Sequence, residues 1–238
     1  MMVLNKKEGI FANVKARQAL LACLDMEACM KAAFGNELFY RIDCSAMFQE
    51  QPMYSEGGKD MYNQHDVEKA KALLAEAGYA DGFTFTCYVA GSTRATTATV
   101  IQANLAELGI TMNIEQMEAS TFYEKTGNGE HDACLAGWVA NAEPDNTYRP
   151  LFTSSNSGAG GNRSFYKNPE IDKLVDDAAV NRDKAAVQKD YETILKILSD
   201  EAVWVPLYSP TGLIARNANL KGMTPSPIQM HDFYALHY

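Results

Sequence analysis

The residues best equipped for chemistry lie in the stretch 131–153, HDACLAGWVANAEPDNTYRPLFT. An apolar run, Asp132 to Trp138, empties into a turn that carries an indole (Trp138), an amide (Asn141), a carboxylate (Asp145) and a phenol (Tyr148). Such groups stack on ligands and exchange hydrogen bonds with them. None is a nucleophile with an evident base partner, so the chemistry is recognition rather than catalysis. A buried strand that ends in polar and aromatic residues is how an α/β sheet presents a ligand site, at the carboxyl end of the strand. Elsewhere there is no G-x-S-x-G, H-E-x-x-H, phosphate loop or GxGxxG. Neither the four histidines (65, 131, 231, 237) nor the five cysteines fall at a metal-ligand or redox spacing, so no metal or other cofactor is expected. Cys23, Cys87 and Cys134 sit in apolar periodic segments and read as core thiols.

Composition narrows the partners. Apolar residues make up 47% and charged residues 21%, as in globular proteins. A net charge of −9 argues against nucleic acid and against an anionic membrane surface. No apolar run approaches the ~20 residues of a spanning helix. No basic segment followed by an apolar one opens the chain, so no secretory leader is read there, and Met1–Leu4 reads as a cut end.

The elements that must position these residues can be read in order. FANVKARQALLACLD (11–25) is a helix capped by Asn13, and Asp25 caps a second that Gly35 ends. Residues 36–65 lack periodicity and read as a surface loop or cleft rim. DVEKAKALLAEAG (66–78) is a helix from Asp66 to Gly78. FTFTCYV (83–89) alternates and reads as a strand. A helix at about 94–108, a strand at 110–116, a short helix from Ser120 and the strand 132–138 follow. The alternation predicts an α/β fold with a mostly parallel sheet and helices on both faces, a three-layer arrangement. TSSNSGAGGNRS (153–164) reads as a flexible loop. Asn168 and Asp183 open two more helices, VWVPLY (203–208) is a strand, and Leu213–Arg216 extends it or starts another.

Gly137, Trp138, Asn141, Pro144, Asp145 and Tyr148 together resemble the ligand-facing segment of the extracytoplasmic solute-binding proteins of peptide ABC importers, family 5. NVKARQALLACLD (13–25) is similar to that family's "VRQAL…AxD" helix, and DVEKAKALLAEAGYADGF (66–83) to its "LLxEAGY…GF" signature. Ile101-Gln102 with Leu105 and Gly109-Ile110 matches "IQxxLxxxGI". Tyr166, Asn168-Pro169-Glu170 and Asp172 match the start of a further helix, and Val205–Tyr208 and Gly222 the closing strands. The matches run in family order over nearly the whole chain.

The resemblance implies one lobe of a two-lobed protein of about twice this length that closes on its ligand like a hinged clamp. Residues 1–210 would be the C-terminal ligand-binding lobe, and 211–238 a tail that returns to the first lobe or, without it, drives self-association through the exposed hinge face. The partners it implies are a peptide or similar small solute and, through the intact protein, ABC permease subunits; the place is extracytoplasmic, periplasmic or lipid-anchored; catalysis is absent. In peptide-binding relatives the main chain after the Trp pairs with the peptide, which here falls on Gly137, Trp138, Val139 and Asn141. Relatives carry an Asp three residues after the Trp to hold the ligand's ammonium; Asn141 supplies no charge there, and Glu143 or Asp145 would have to substitute. The Arg that clamps a dipeptide carboxylate in some relatives falls at Tyr88, with Arg94 the nearest cation. A longer peptide or another solute is therefore expected. A receptor for an oligosaccharide or other non-peptide solute is the alternative, and a small α/β enzyme a remoter one. With half of the cleft missing, the lobe alone is expected to bind weakly.

Overall fold

Strict alternation along short strands decides the layers. Phe85, Cys87 and Val89 turn to one side of strand β3 (Thr84–Val89) and Tyr88 to the other. The same split holds in β1 (Met2–Leu4), with Met2 and Leu4 against Val3, and in β5 (Ala133–Leu135), with Ala133 and Leu135 against Cys134. Both sides are buried, so both faces of the sheet must be covered by helices. A computed structural model, which describes residues 1–45, 47, 49–56, 64–139, 142–225 and 233–238, shows this arrangement.

One face is covered by α1 (Val14–Cys23), α2 (Met26–Phe34), α3 (Val67–Glu76) and α4 (Ser92–Ala106), whose Leu20, Leu21, Met30, Leu74, Ile101 and Leu105 join the strands in the main core. The other face carries Phe122 of α5 (Ala119–Asn128). Beside it a second core is built by α6 (Asp145–Phe152), α7 (Pro169–Val180) and α8 (Lys184–Asp200) on Trp204 of β6 (Trp204–Val205). With β4 (Thr111–Gln116), the strand order is β4-β3-β5-β1-β6.

Four of these strands run the same way: β3 pairs parallel with β4 and β5, while β1 lies antiparallel between β5 and β6. The sheet is thus mixed, which refines the mostly parallel expectation. Strand β1 has only three residues and both of its sides are apolar, so it shows no alternation by which a strand is recognised. The third expected strand, 132–138, is shorter than its apolar run: the ladder stops at Leu135.

The helix starts follow capping chemistry. The side chains of Asn13, Asp25, Asp66, Asn168 and Asp183 each accept a main-chain N–H in the first turn of the helix that follows. Gly35 (φ +71°) closes α2 in the left-handed region. The turn at Gly82 (φ +77°) touches the turn at Gly109, where a Cβ on Gly82 would sit 2.1 Å from the Gly109 carbonyl oxygen; only glycine fits.

Two loops differ from expectation. Within 36–65, β2 (Tyr40–Ile42) pairs antiparallel with β7 (Tyr208–Pro210) as a separate ribbon. Leu38, Phe39, Leu213 and Ile214 flank it and are exposed; Leu213–Arg216 forms no strand. The Gly/Ser loop 153–164, expected to be flexible, forms two short 3-10 turns tied by side-chain hydrogen bonds. Buried Asn162 donates to the carbonyls of Thr153 (3.1 Å) and Tyr166 (2.9 Å), and Ser164 Oγ to Asn162 Oδ1 (2.7 Å). Asn156 donates to Thr153 Oγ1 (2.8 Å), and Ser154 N–H to Asp172 Oδ1 (2.8 Å). Short polar side chains that bond nearby main chain let an apparently featureless segment hold one shape. Cys23, Cys87 and Cys134 are buried thiols, as expected.

Candidate functional site

Because β3 and β5 pair in parallel (Cys87 with Ala133, Tyr88 with Cys134), their carboxyl ends reach the same edge of the sheet. There Ala90–Gly91 and Ala136–Val139 leave the ladder side by side. Gly91 (φ +88°) turns the chain directly into α4. Arg94, in the first turn of α4, donates from Nη1 to the Ala90 carbonyl (3.1 Å). Its Nη2 stands 2.9 Å from where a Cβ on Gly137 would be. Glycine at 137 therefore gives this guanidinium room to lie from the end of β3 across to the end of β5. Arg94 makes no ion pair among the described residues.

The main chain of β5 is last held at Ala136, whose N–H donates to the Met1 carbonyl (3.1 Å). Beyond it, Gly137, Trp138 and Val139 make no main-chain hydrogen bond among the described residues. Gly137 and Val139 are exposed, Val139 by 58%. Trp138 is half-buried and packs against the core of α6 to α8. An indole anchored in this way fixes the direction of the strand end while its main-chain groups stay open. A row of unpaired donors and acceptors continuing a strand is a template for another extended chain.

The remaining candidates are placed as follows. Asn141 lies outside the described residues. Asp145 is the first residue of α6, and both its oxygens accept from Arg149 Nε (3.1 and 3.0 Å). Arg149 Nη1 reaches on to Asp176 (2.7 Å), and these carboxylates raise the proton affinity of the guanidinium. Asp145 is thus bound into the α6–α7 contact, in a first turn whose helix dipole favours its charge. Tyr88 is buried under α5; its hydroxyl donates to the Glu130 carbonyl (3.3 Å), the Lys125 ammonium lies 5.4 Å from its ring centre, and burial pushes its pKa up. It faces the amino end of β5, so the structure gathers Gly137, Trp138, Val139 and Arg94 at one edge and sets Tyr88 apart. Gly91 and β1 were missed. A glycine straight after a strand was the available signal for the first; nothing in three apolar residues marked the second.

The edge offers main-chain donors and acceptors, an anchored aromatic and one unpaired cation, which are the tools of a binding protein. The chain belongs to the bacterial extracellular solute-binding proteins, family 5, whose middle-region model matches residues 1–159. It is similar to heme-binding protein A of Haemophilus influenzae (31% identical over 240 residues, 98% of this chain and 43% of that protein). It is also similar to di/tripeptide-binding protein 2 of Pseudomonas aeruginosa (28% identical, 97% of this chain and 44% of that protein). Among solved structures, the periplasmic binding protein DppA of Helicobacter pylori in complex with the peptide STSA superposes with a TM-score of 0.84 at 28% identity, over 93% of this chain and 43% of that one. The chain spans less than half the length of each of these relatives.

Proposed function

We propose that this chain is the C-terminal ligand-binding lobe of a peptide-type solute-binding protein, which captures its substrate outside the cytoplasm for an ABC importer and does no chemistry on it. The observation that carries this reading is the unpaired main chain of Gly137–Val139 at the end of β5. An extended peptide laid there gains strand-like hydrogen bonds without its side chains being read. Trp138 holds the edge in place, and Arg94 supplies a positive charge for an anionic group. Asp145 and Tyr88 act on the scaffold.

The test is an amide-detected NMR titration of the chain with a free tetrapeptide at millimolar concentration. The amide signals of Gly137, Trp138 and Val139 should move together and saturate. Peptide-induced shifts confined to other parts of the chain, or none at all, would reject the proposal. The similarity to a protein named heme-binding favours a second reading, a non-peptide solute at the same edge. Hemin and an oligosaccharide form the other arms of the titration, and saturable shifts with one of these alone would select it.

We assign the exposed apolar flank of the β2–β7 ribbon to the remainder of such a protein or, in this chain alone, to a second copy. Analytical ultracentrifugation should show a concentration-dependent dimer that the substitutions Leu38→Glu and Leu213→Glu abolish. A monomer at every concentration would remove the second copy.

A further inference from the structure

The opposite edge of the sheet holds a second place where a ligand fits. Past Leu4 the chain leaves at the amino end of β5, where Asn5 Nδ2 donates to the His131 carbonyl (2.8 Å) and Lys6 N–H to the Ser164 carbonyl (2.8 Å). Between this segment and the loop that ends at Lys167 lies a cavity of about 540 Å³. That is within the usual size range of small-molecule pockets. Arg17 and Lys6 stand at its floor, Lys7 and Lys167 at its exposed mouth, and Phe165 and Tyr166 in its wall. One carboxylate, Glu201, lines it together with Tyr166. Four cations thus meet one anion, in a chain whose net charge is −9.

The cations are not spent in the same way. Arg17 gives its guanidinium to four main-chain carbonyls, of Phe11, Ala12, Glu201 and Ala202. Lys6 Nζ donates to the carbonyls of Leu4 (2.9 Å) and Val203, which leaves one of its three N–H groups unclaimed. It has no carboxylate in ion-pair range among the described residues, and burial beside Arg17 holds its proton affinity far below that of a free lysine. An anion placed next to it would remove that penalty. Lys7 and Lys167 make no side-chain hydrogen bond or ion pair among the described residues. Phe165 adopts φ +54°, a conformation that costs a non-glycine residue energy and that gathers where a structure holds something in place. Its ring is seated over Gly129, where a Cβ would sit 2.8 Å from it.

We propose that this cavity binds an organic phosphate monoester, with the phosphate on Lys6, Lys7 and Lys167 and the organic body along Phe165 and Tyr166. Three lysines without counter-charges match a dianion better than a single carboxylate. The planar fork that would select a carboxylate belongs to Arg17 and is already used, while ammonium groups act as point charges that suit a tetrahedral oxyanion. The volume exceeds what a bare phosphate fills, which leaves room for the organic part. This site lies across the sheet from Gly137–Val139, so it stands or falls independently of the peptide reading.

The test is isothermal titration of the chain with phenyl phosphate, inorganic phosphate and phenol at matched ionic strength, repeated on the double variant Lys7→Gln/Lys167→Gln. Phenyl phosphate should bind saturably, inorganic phosphate several-fold more weakly, and phenol not at all. The double variant should melt at an unchanged temperature without ligand and bind phenyl phosphate about tenfold more weakly. Should it fold poorly, Lys167→Glu alone should show the same loss. Binding undiminished in these variants, or a response to phenyl phosphate no larger than to added sodium chloride, overturns the proposal. So does binding to phosphatidylglycerol vesicles without any to phenyl phosphate, which would make the lysines a membrane contact instead.

Discussion

Replacing Arg17 by methionine is expected to cost about 3 kcal/mol of stability and to lower the melting temperature by roughly 6–12 °C. Arg17 sits on the inner side of α1 and is only 4% exposed. Its Nη1 donates to the carbonyls of Phe11 (2.9 Å) and Ala12 (3.2 Å), just before α1. Its Nε and Nη2 donate to Glu201 (2.9 and 2.6 Å), and Nε also to Ala202 (3.1 Å), at the end of α8. One cation therefore joins the first helix to the last, at a helix carboxyl end where positive charge is favoured. Methionine fills similar space but leaves four carbonyls without their donor, and each largely buried one costs on the order of 1 kcal/mol or more. Lysine keeps the charge but cannot reach both pairs, so Arg17→Lys should recover less than half of the loss. Circular dichroism melting of the three proteins checks this; a methionine variant within 2 °C of the parent would show that the guanidinium bonds add little.

Acid should weaken the fold through His131. This imidazole is 2% exposed and lies between the rings of Tyr88 (6.4 Å) and Phe165 (6.5 Å). Burial, the largest influence, takes its pKa from 6.5 down to about 4, against the opposing pull of the Arg163 main chain and of Asp132. The unfolded chain takes up a proton near its ordinary pKa, while the native one stays neutral until much lower pH. The contribution is thus complete above the unfolded pKa and is lost as pH falls from there towards the folded one. At about pH 4.5 the loss amounts to about 2–3 kcal/mol. Urea unfolding at about pH 7 and pH 4.5 should show that drop, and His131→Gln, which has nothing to protonate, should drop by that much less. Parallel losses in the two proteins would mean that carboxylates alone govern the acid response.

Much of this architecture was legible in the residues because it rests on local chemistry. Asn13, Asp25, Asp66, Asn168 and Asp183 announce their helices within one turn, and Phe85–Val89 alternates on its own. What stayed hidden depends on distant partners. Arg17 reads as an ordinary polar helix residue until Glu201 and Ala202 are brought beside it. Loop 153–164 looks loose until Asn162 is seen bonding both of its ends. For the site, Trp138 and Gly137 could be picked out as the end of an apolar run. That Arg94 lies over Gly137, and that Tyr88 turns towards Glu130, follows only from the parallel pairing of β3 with β5 and the side of the sheet each residue faces.

The antiparallel insertion of β1 has a consequence for biogenesis. Its partners, Ala133–Leu135 and Trp204–Val205, occur past the midpoint and near the end of the chain. During synthesis Met2–Leu4 must therefore wait, unpaired and apolar, until residues 133–135 and then 204–205 have been made. Pairing over such separations closes late and slowly. The apolar segment Met2–Leu4 should thus depend on chaperone shielding over that interval, with the sheet completed only once Trp204 and Val205 are available.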